Sequence, residues 1–207
     1  TLTIGQTRPD TGESMTPYRA IAFSGSLRDG SSNTALVRMA QRLAPPQLAV
    51  EIIDWLDQLP WMNPDLEPDP PAILQQWWTA LRDADALIVG MPEYNWSPTP
   101  LAKNALDWAT RPPDDRAIAG TAVAFLSAAG RGGGANAQAN LTTILGYLGA
   151  HMVEEPPVRL SSVADRLRAD GTTDDPEIEE AVRAKMEAVV EALRARDAAA
   201  TDTAPEA

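Results

Sequence analysis

Apolar residues along this chain fall into short runs, and the stretches between them carry helical periodicity. Arg19-Ala20-Ile21-Ala22-Phe23, Ala49-Val50-Glu51-Ile52-Ile53, Ala86-Leu87-Ile88-Val89, residues 121–126 and His151-Met152-Val153 are such runs. Short apolar runs without strict alternation read as strands buried on both faces of a sheet. Residues 32–43 repeat Leu36, Val37, Met39, Ala40 and Leu43 at helical spacing. A second helix starts at Pro71 and presents Ile73, Leu74, Trp77, Trp78 and Leu81 on one face. Further helices are expected over 100–110, over 135–148 with Gly149 as its stop, and over 176–196. Strand and helix alternate throughout, which predicts a parallel sheet covered on both faces. Residues 54–71, rich in Pro, Asp and Trp, read as a long irregular loop.

The pattern places one domain over residues 18–197. Residues 1–17 are polar, lack periodicity and read as a leader or tag. Residues 198–207 are small and polar and read as a disordered tail.

Composition narrows the classes. The formal charge is -12, which disfavours nucleic acid and anionic membranes as partners. No apolar run approaches the ~20 residues of a membrane span, and no signal sequence is visible, so the cytoplasm is the expected location. Cys is absent, which excludes disulfides and thiolate chemistry. The single histidine, His151, excludes a multi-histidine metal site and reads as structural or exposed. The acidic run Asp174, Asp175, Glu177, Glu179 and Glu180 reads as a favourable charge set at a helix start, not a metal site.

The candidate chemistry lies in three loops that follow strands, where open α/β sheets bind ligands. The first, Gly25-Ser26-Leu27-Arg28-Asp29-Gly30-Ser31-Ser32-Asn33, offers backbone N–H groups, hydroxyls, an amide and one guanidinium to an anion at a helix start. It is neither the dinucleotide fingerprint nor a P-loop. A capped helix start explains the same residues without a ligand. The second loop, Met91-Pro92-Glu93-Tyr94-Asn95-Trp96-Ser97-Pro98, pairs a rigid backbone with two aromatic faces, which suits a flat ring edge carrying donors and acceptors. Trp96 is a candidate for stacking substrate or shaping the pocket. The third, Ser127-Ala128-Ala129-Gly130-Arg131-Gly132-Gly133-Gly134, allows close approach of backbone to ligand, and Arg131 can place positive charge near a reduced, anionic cofactor.

Gly25-Ser26-Leu27-Arg28-x-Gly30-Ser31-x-Asn33, then Pro92-Glu93-Tyr94-Asn95-x-Ser97, then Lys103-Asn104-Ala105-Leu106-Asp107-Trp108, resembles the NADPH-dependent FMN reductase family over residues 18–195. The resemblance implies a three-layer flavodoxin-like α/β sandwich with a five-stranded parallel sheet in the order 2-1-3-4-5. It implies non-covalent FMN, with NADPH or NADH as co-substrate. Ser26, Arg28, Ser31 and Asn33 would hold the phosphate. Pro92, Glu93, Tyr94 and Asn95 would line the isoalloxazine, and Ser127 and Gly130 would approach the ring. No side chain is needed as a nucleophile, because the cofactor carries the chemistry. Quinones, free flavins, azo dyes and metal oxyanions such as chromate are the implied acceptors, and a homodimer or homotetramer is the implied assembly. A flavodoxin-like electron carrier is the alternative, although flavodoxins lack the Arg28 equivalent. The chain departs from its relatives at Ser32, Ala102 and Asn136, the last standing where many carry an Arg. Lys103, Asn104 and Asp107 read as helix packing and hydrogen bonding, and Trp77 and Trp78 as core or dimer interface.

Overall fold

The computed structural model describes residues 16–163 and 165–202. The expected leader at 1–17 therefore lies outside the described residues except for its last two, and so do positions 203–207 of the expected tail. The elements run β1 (Tyr18–Ser24), α1 (Ser32–Leu43), β2 (Leu48–Ile52), α2 (Ala72–Arg82), β3 (Ala86–Gly90), β4 (Glu93–Tyr94), β5 (Ser97–Pro98), α3 (Pro100–Ala109), β6 (Ala122–Ala129), α4 (Ala135–Tyr147), β7 (His151–Met152), β8 (Val158–Ser161) and α5 (Pro176–Asp202). Single 3-10 turns at Leu56–Gln58 and Pro64–Leu66 punctuate the loop after β2.

The main sheet has the order β2-β1-β3-β6-β7, and β8 also pairs with β6. All its pairings are parallel, with Ala20 opposite Ala86 and Ala86 opposite Ala122. With the β4–β5 hairpin set aside, this is the expected 2-1-3-4-5 order. Its fifth position is filled by two segments, however, not one. Pro156 and Pro157 lie between β7 and β8 and carry no N–H for a ladder, so the edge strand breaks there.

The two-residue period of the strands divides the core. Ala20, Ala22, Ile88, Ala124 and Leu126 face α1 and α5. Ile21, Phe23, Leu87, Val89, Val123 and Phe125 face α2, α3 and α4. The second face is built around tryptophans. Trp77 and Trp78 are core residues: their indole N–H groups donate to the carbonyls of Ala105 (2.9 Å) and Trp108 (2.7 Å). Trp108 in turn donates to Pro60 O at 2.8 Å. These bonds tie α2 and the long loop to α3 while burying the ring surfaces.

Helix α5 continues to Asp202, six residues past the expected end at Arg196. Positions 198–202 are thus helix and not a disordered tail, because Ala198, Ala199 and Ala200 favour helix more than any other residue type. Midway along α5, Lys185 is buried, and its ammonium donates to Val153 O (2.9 Å) and Glu154 O (2.7 Å), where β7 gives way to the proline break.

Candidate functional site

The site forms at the carboxyl ends of β1, β3 and β6, where the chain order reverses across the sheet. Glycine at position 90 makes this possible. A Cβ there would lie 2.6 Å from Asn33 O and 2.7 Å from Val37 Cγ2, so the start of α1 rests directly on the end of β3.

The first loop builds a pocket of about 220 Å³ lined by Ser26, Arg28, Gly30, Ser31, Thr34, Arg38 and others. The first helical bond of α1 runs from Ala35 N to Ser31 O, so the amides of Ser32, Asn33 and Thr34 lie ahead of the ladder. Ser31 is buried, yet its hydroxyl makes no cap hydrogen bond. Internal bonds shape the loop: Arg28 N donates to Ser26 Oγ (3.2 Å), Ser26 N to Ser24 Oγ (3.2 Å) and Thr34 Oγ1 to Ser24 Oγ (2.9 Å). Open helical amides, a buried hydroxyl and two guanidiniums fit a phosphate. Thr34 and Arg38 are absent from the sequence expectation. They follow Ser31 at helical spacing on α1, which is the signal that could have found them.

Asn33 serves a different end. Its Nδ2 donates to Ala128 O at 2.8 Å, and Ala128 N donates to its Oδ1 at 2.9 Å. β3 ends at Gly90, opposite Leu126, so β6 runs on past its neighbour. The Asn33 amide supplies the donor and acceptor that a further β3 residue would have offered. The side chain is 4% exposed and is part of the frame, not of the phosphate pocket.

The second loop is a β-hairpin, which the sequence reading does not anticipate. Glu93 pairs with Pro98 and Tyr94 with Ser97. Asn95 and Trp96 form the turn at φ 52° and 58°, the doubly positive geometry of tight hairpins. Asparagine tolerates this conformation, but tryptophan rarely adopts it. Tyr94 is half exposed, Trp96 is 78% exposed, and Pro92 is buried. The Thr99 hydroxyl, also missed by the sequence reading, donates to Gly25 O at 2.6 Å and joins this loop to the first. The Thr-Pro pair at the start of α3 is a helix-start signal that could have marked it.

The third loop leads into α4 through Gly134, at φ +87°, where a Cβ would stand 2.5 Å from Ser127 Cβ. Ser127 is fully buried, and its hydroxyl accepts from Gln138 Nε2 at 2.9 Å. Its side chain therefore packs beneath the loop and does not face the cleft, because Gly134 closes over it. Gly130 and Arg131 are exposed. Gly134 cannot cap α4 with a side chain, and Glu93 does so from the hairpin: its carboxylate accepts from Asn136 N (2.8 Å), Ala137 N (3.0 Å) and Asn136 Nδ2 (3.1 Å). Burial raises the Glu93 pKa, but these three bonds outweigh it and hold the carboxyl below its ordinary value. Asn136 completes this contact with both its backbone and its side chain.

A second pocket, about 380 Å³, adjoins the first through Ser26, Leu27 and Arg28. Leu56, Leu59, Trp61, Tyr94 and Leu101 give it apolar walls. Asn104 on its floor is engaged with Pro60 O (3.0 Å) and Met62 N (2.8 Å), and Lys103 pairs with Asp107 at 2.6 Å, so these residues hold the helix and its neighbours together. A larger cavity of about 650 Å³ lies at the opposite end of the sheet. There Arg196 pairs with Asp85 and Asp197 and Arg82 pairs with Asp115, which explains those charges without a ligand. Among the described residues no group of His, Asp or Glu is placed to hold a metal ion, and no helix is long and apolar enough to cross a membrane. His151 is exposed.

A doubly wound parallel sheet with a phosphate-fitting pocket at its switch point defines a flavodoxin-like nucleotide- or flavin-binding protein. The NADPH-dependent FMN reductase family model matches residues 18–165. An NAD(P)H-dependent FMN reductase of Pseudomonas aeruginosa is 37% identical over 174 residues, covering 83% of this chain and 92% of that protein. A probable NADPH:quinone oxidoreductase of Oryza sativa subsp. japonica is 36% identical over 172 residues, covering 80% and 83%. The solved flavoenzyme NAD(P)H:(acceptor) oxidoreductase from Paracoccus denitrificans superposes with a TM-score of 0.79 at 30% identity, covering 86% of this chain and 98% of that one. The chain belongs to the NADPH-dependent FMN reductase family. It is an oxidoreductase that uses FMN, with NAD(P)H as co-substrate, in flavin and quinone reduction.

Proposed function

We propose that FMN lies along the carboxyl ends of β1, β3 and β6, its phosphate in the pocket of Ser26, Arg28, Ser31 and Thr34. Its ring rests between the hairpin of Pro92, Glu93, Tyr94 and Asn95 and the loop of Gly130 and Arg131. The observation that carries this reading is the phosphate-fitting pocket, which opens beside an apolar pocket ending at Tyr94. Bound FMN supplies the hydride-accepting and electron-donating chemistry. The chain's own work is binding and orientation. Arg28 and the α1 amides hold the phosphate, hairpin backbone meets the ring edge, and Arg131 places positive charge near a reduced ring.

Azo dyes and metal oxyanions such as chromate join quinones and free flavins as acceptors in this reading, because the resemblance that implies FMN also implies these acceptors. The cytoplasm, which supplies reduced nicotinamide, is its compartment. Leu27, Trp61, Tyr94 and Trp96 are 69%, 72%, 54% and 78% exposed, and we assign their covering to a second copy in a homodimer or homotetramer, to be read by sedimentation.

The test is the absorbance spectrum of the purified protein, with NADPH added in the absence of air. A flavin spectrum that bleaches, then returns on adding benzoquinone, an azo dye or chromate, is expected. A spectrum unmoved by NADPH or NADH points to an electron carrier, and failure to take up FMN on soaking rejects the reading. Arg28→Ala is expected to weaken FMN binding by about tenfold, equivalent to losing about 1.4 kcal/mol, while leaving riboflavin binding unchanged. Equal losses for both ligands would remove Arg28 from the phosphate.

A further inference from the structure

The three loops of the cleft are joined in pairs, each pair by one side chain that reaches a backbone. Thr99 joins the second loop to the first through Gly25 O. Asn33 joins the first to the third through Ala128. Glu93 joins the second to the third through Asn136 and Ala137. Thr99 and Asn33 are 3% and 4% exposed, so those two ties belong to the core. Glu93 is partly exposed and stands at the mouth of the cleft, and among these three it alone carries a charge.

We propose that Glu93 is a positioning residue. Its carboxylate caps α4 from the hairpin and so sets the gap between the two walls that receive the flavin ring. Three features combine to make it so. Gly134 must be glycine, since its φ is +87° and a Cβ would strike Ser127, so α4 starts without a side-chain cap of its own. Open amides at a helix start bind a carboxylate well. Among the described residues, the only carboxylate that accepts from these amides comes from the facing loop. Capping and loop spacing are therefore one interaction, and freeing the carboxylate loosens the glycine loop relative to the hairpin. Asn136 adds a third bond from its side chain, and among the described residues no cation pairs with Glu93, so the hold rests on hydrogen bonds and the helix terminus.

This role rests on the FMN reading above, and the experiment separates the two. FMN affinity is measured by quenching of flavin fluorescence for the wild type, Glu93→Ala and Glu93→Gln, alongside hydrogen exchange of residues 130–137 in the flavin-free proteins. The glutamine side chain keeps one acceptor oxygen. Glu93→Ala is expected to bind FMN about tenfold more weakly, or about 1.4 kcal/mol, to blur the fine structure of the bound-flavin absorption band and to speed exchange in the loop. Glu93→Gln is expected to restore most of each. An alanine variant that exchanges faster and melts lower, yet binds FMN with wild-type affinity and spectrum, would reduce Glu93 to a helix cap and overturn the proposal. So would unchanged exchange together with weaker binding, which would mark direct contact with the ring. A wild type that takes up no FMN overturns the functional reading itself, and this role with it.

Discussion

Asn33→Leu is expected to destabilise the protein by about 2–6 kcal/mol, since it orphans both the N–H and the C=O of Ala128, at about 1–3 kcal/mol each. Leucine matches the volume and keeps the helix, so the loss isolates the two hydrogen bonds at 2.8 and 2.9 Å. These bonds lie where water does not reach, so the bared groups find no substitute partner. The same change uncouples the phosphate loop from the end of β6, and FMN is expected to leave the protein during gel filtration. The urea midpoint and the flavin-to-protein absorbance ratio are the measurements. A midpoint within error of the wild type would mean that Ala128 is satisfied by other means and that the frame does not depend on this amide.

The second large effect concerns pH. Burial pushes the Lys185 ammonium down to about 8 from an ordinary 10.5, with Glu155 and Glu154 opposing that shift and Arg159 adding to it. The folded form therefore loses this proton at lower pH than the unfolded form does. Between about pH 8 and 10.5 the unfolded chain binds more protons, and stability rises with pH across that window. The full rise is about 3 kcal/mol, at about 1.4 kcal/mol per pKa unit. Below pH 8 both forms are charged and the term is constant. Urea midpoints at intervals from pH 7 to pH 10 read it, with Lys185→Met as the reference. The variant loses the donor to Val153 O and Glu154 O at every pH, so only the wild type should show the additional rise. Parallel curves for the two proteins would show that the two carbonyls compensate the buried charge fully.

The architecture was largely legible beforehand. Residues 32–43 form α1 with the boundaries that the spacing of Leu36, Val37, Met39, Ala40 and Leu43 predicts. The apolar run at β3 is buried at every position, as a central parallel strand requires. Local signals failed where an element is too short to carry a period. The hairpin strands span two residues each, and β8 spans four behind two prolines. The end of α5 was missed for another reason: Ala198, Ala199 and Ala200 bury nothing that a hydrophobic pattern could register, yet alanine sustains helix.

The loops of the site were equally legible, because glycine, serine and proline clusters after apolar runs are local features. The roles inside them were not. Asn33 and Ser127 look like ligand-facing polar residues in the sequence, and in the structure both turn inward to satisfy the frame. Glu93 looks like one more residue beside the ring, and it proves to cap a helix. The ties that decide the roles of Asn33 and Glu93 join residues 95 and 43 positions apart. The sequence by itself determined the alternation of elements, the family and the three loops that could meet a flavin, since each is written in neighbouring residues. Only the tertiary structure decided which polar atoms remain open to a ligand, because a donor or acceptor already paired across the fold has none left to offer.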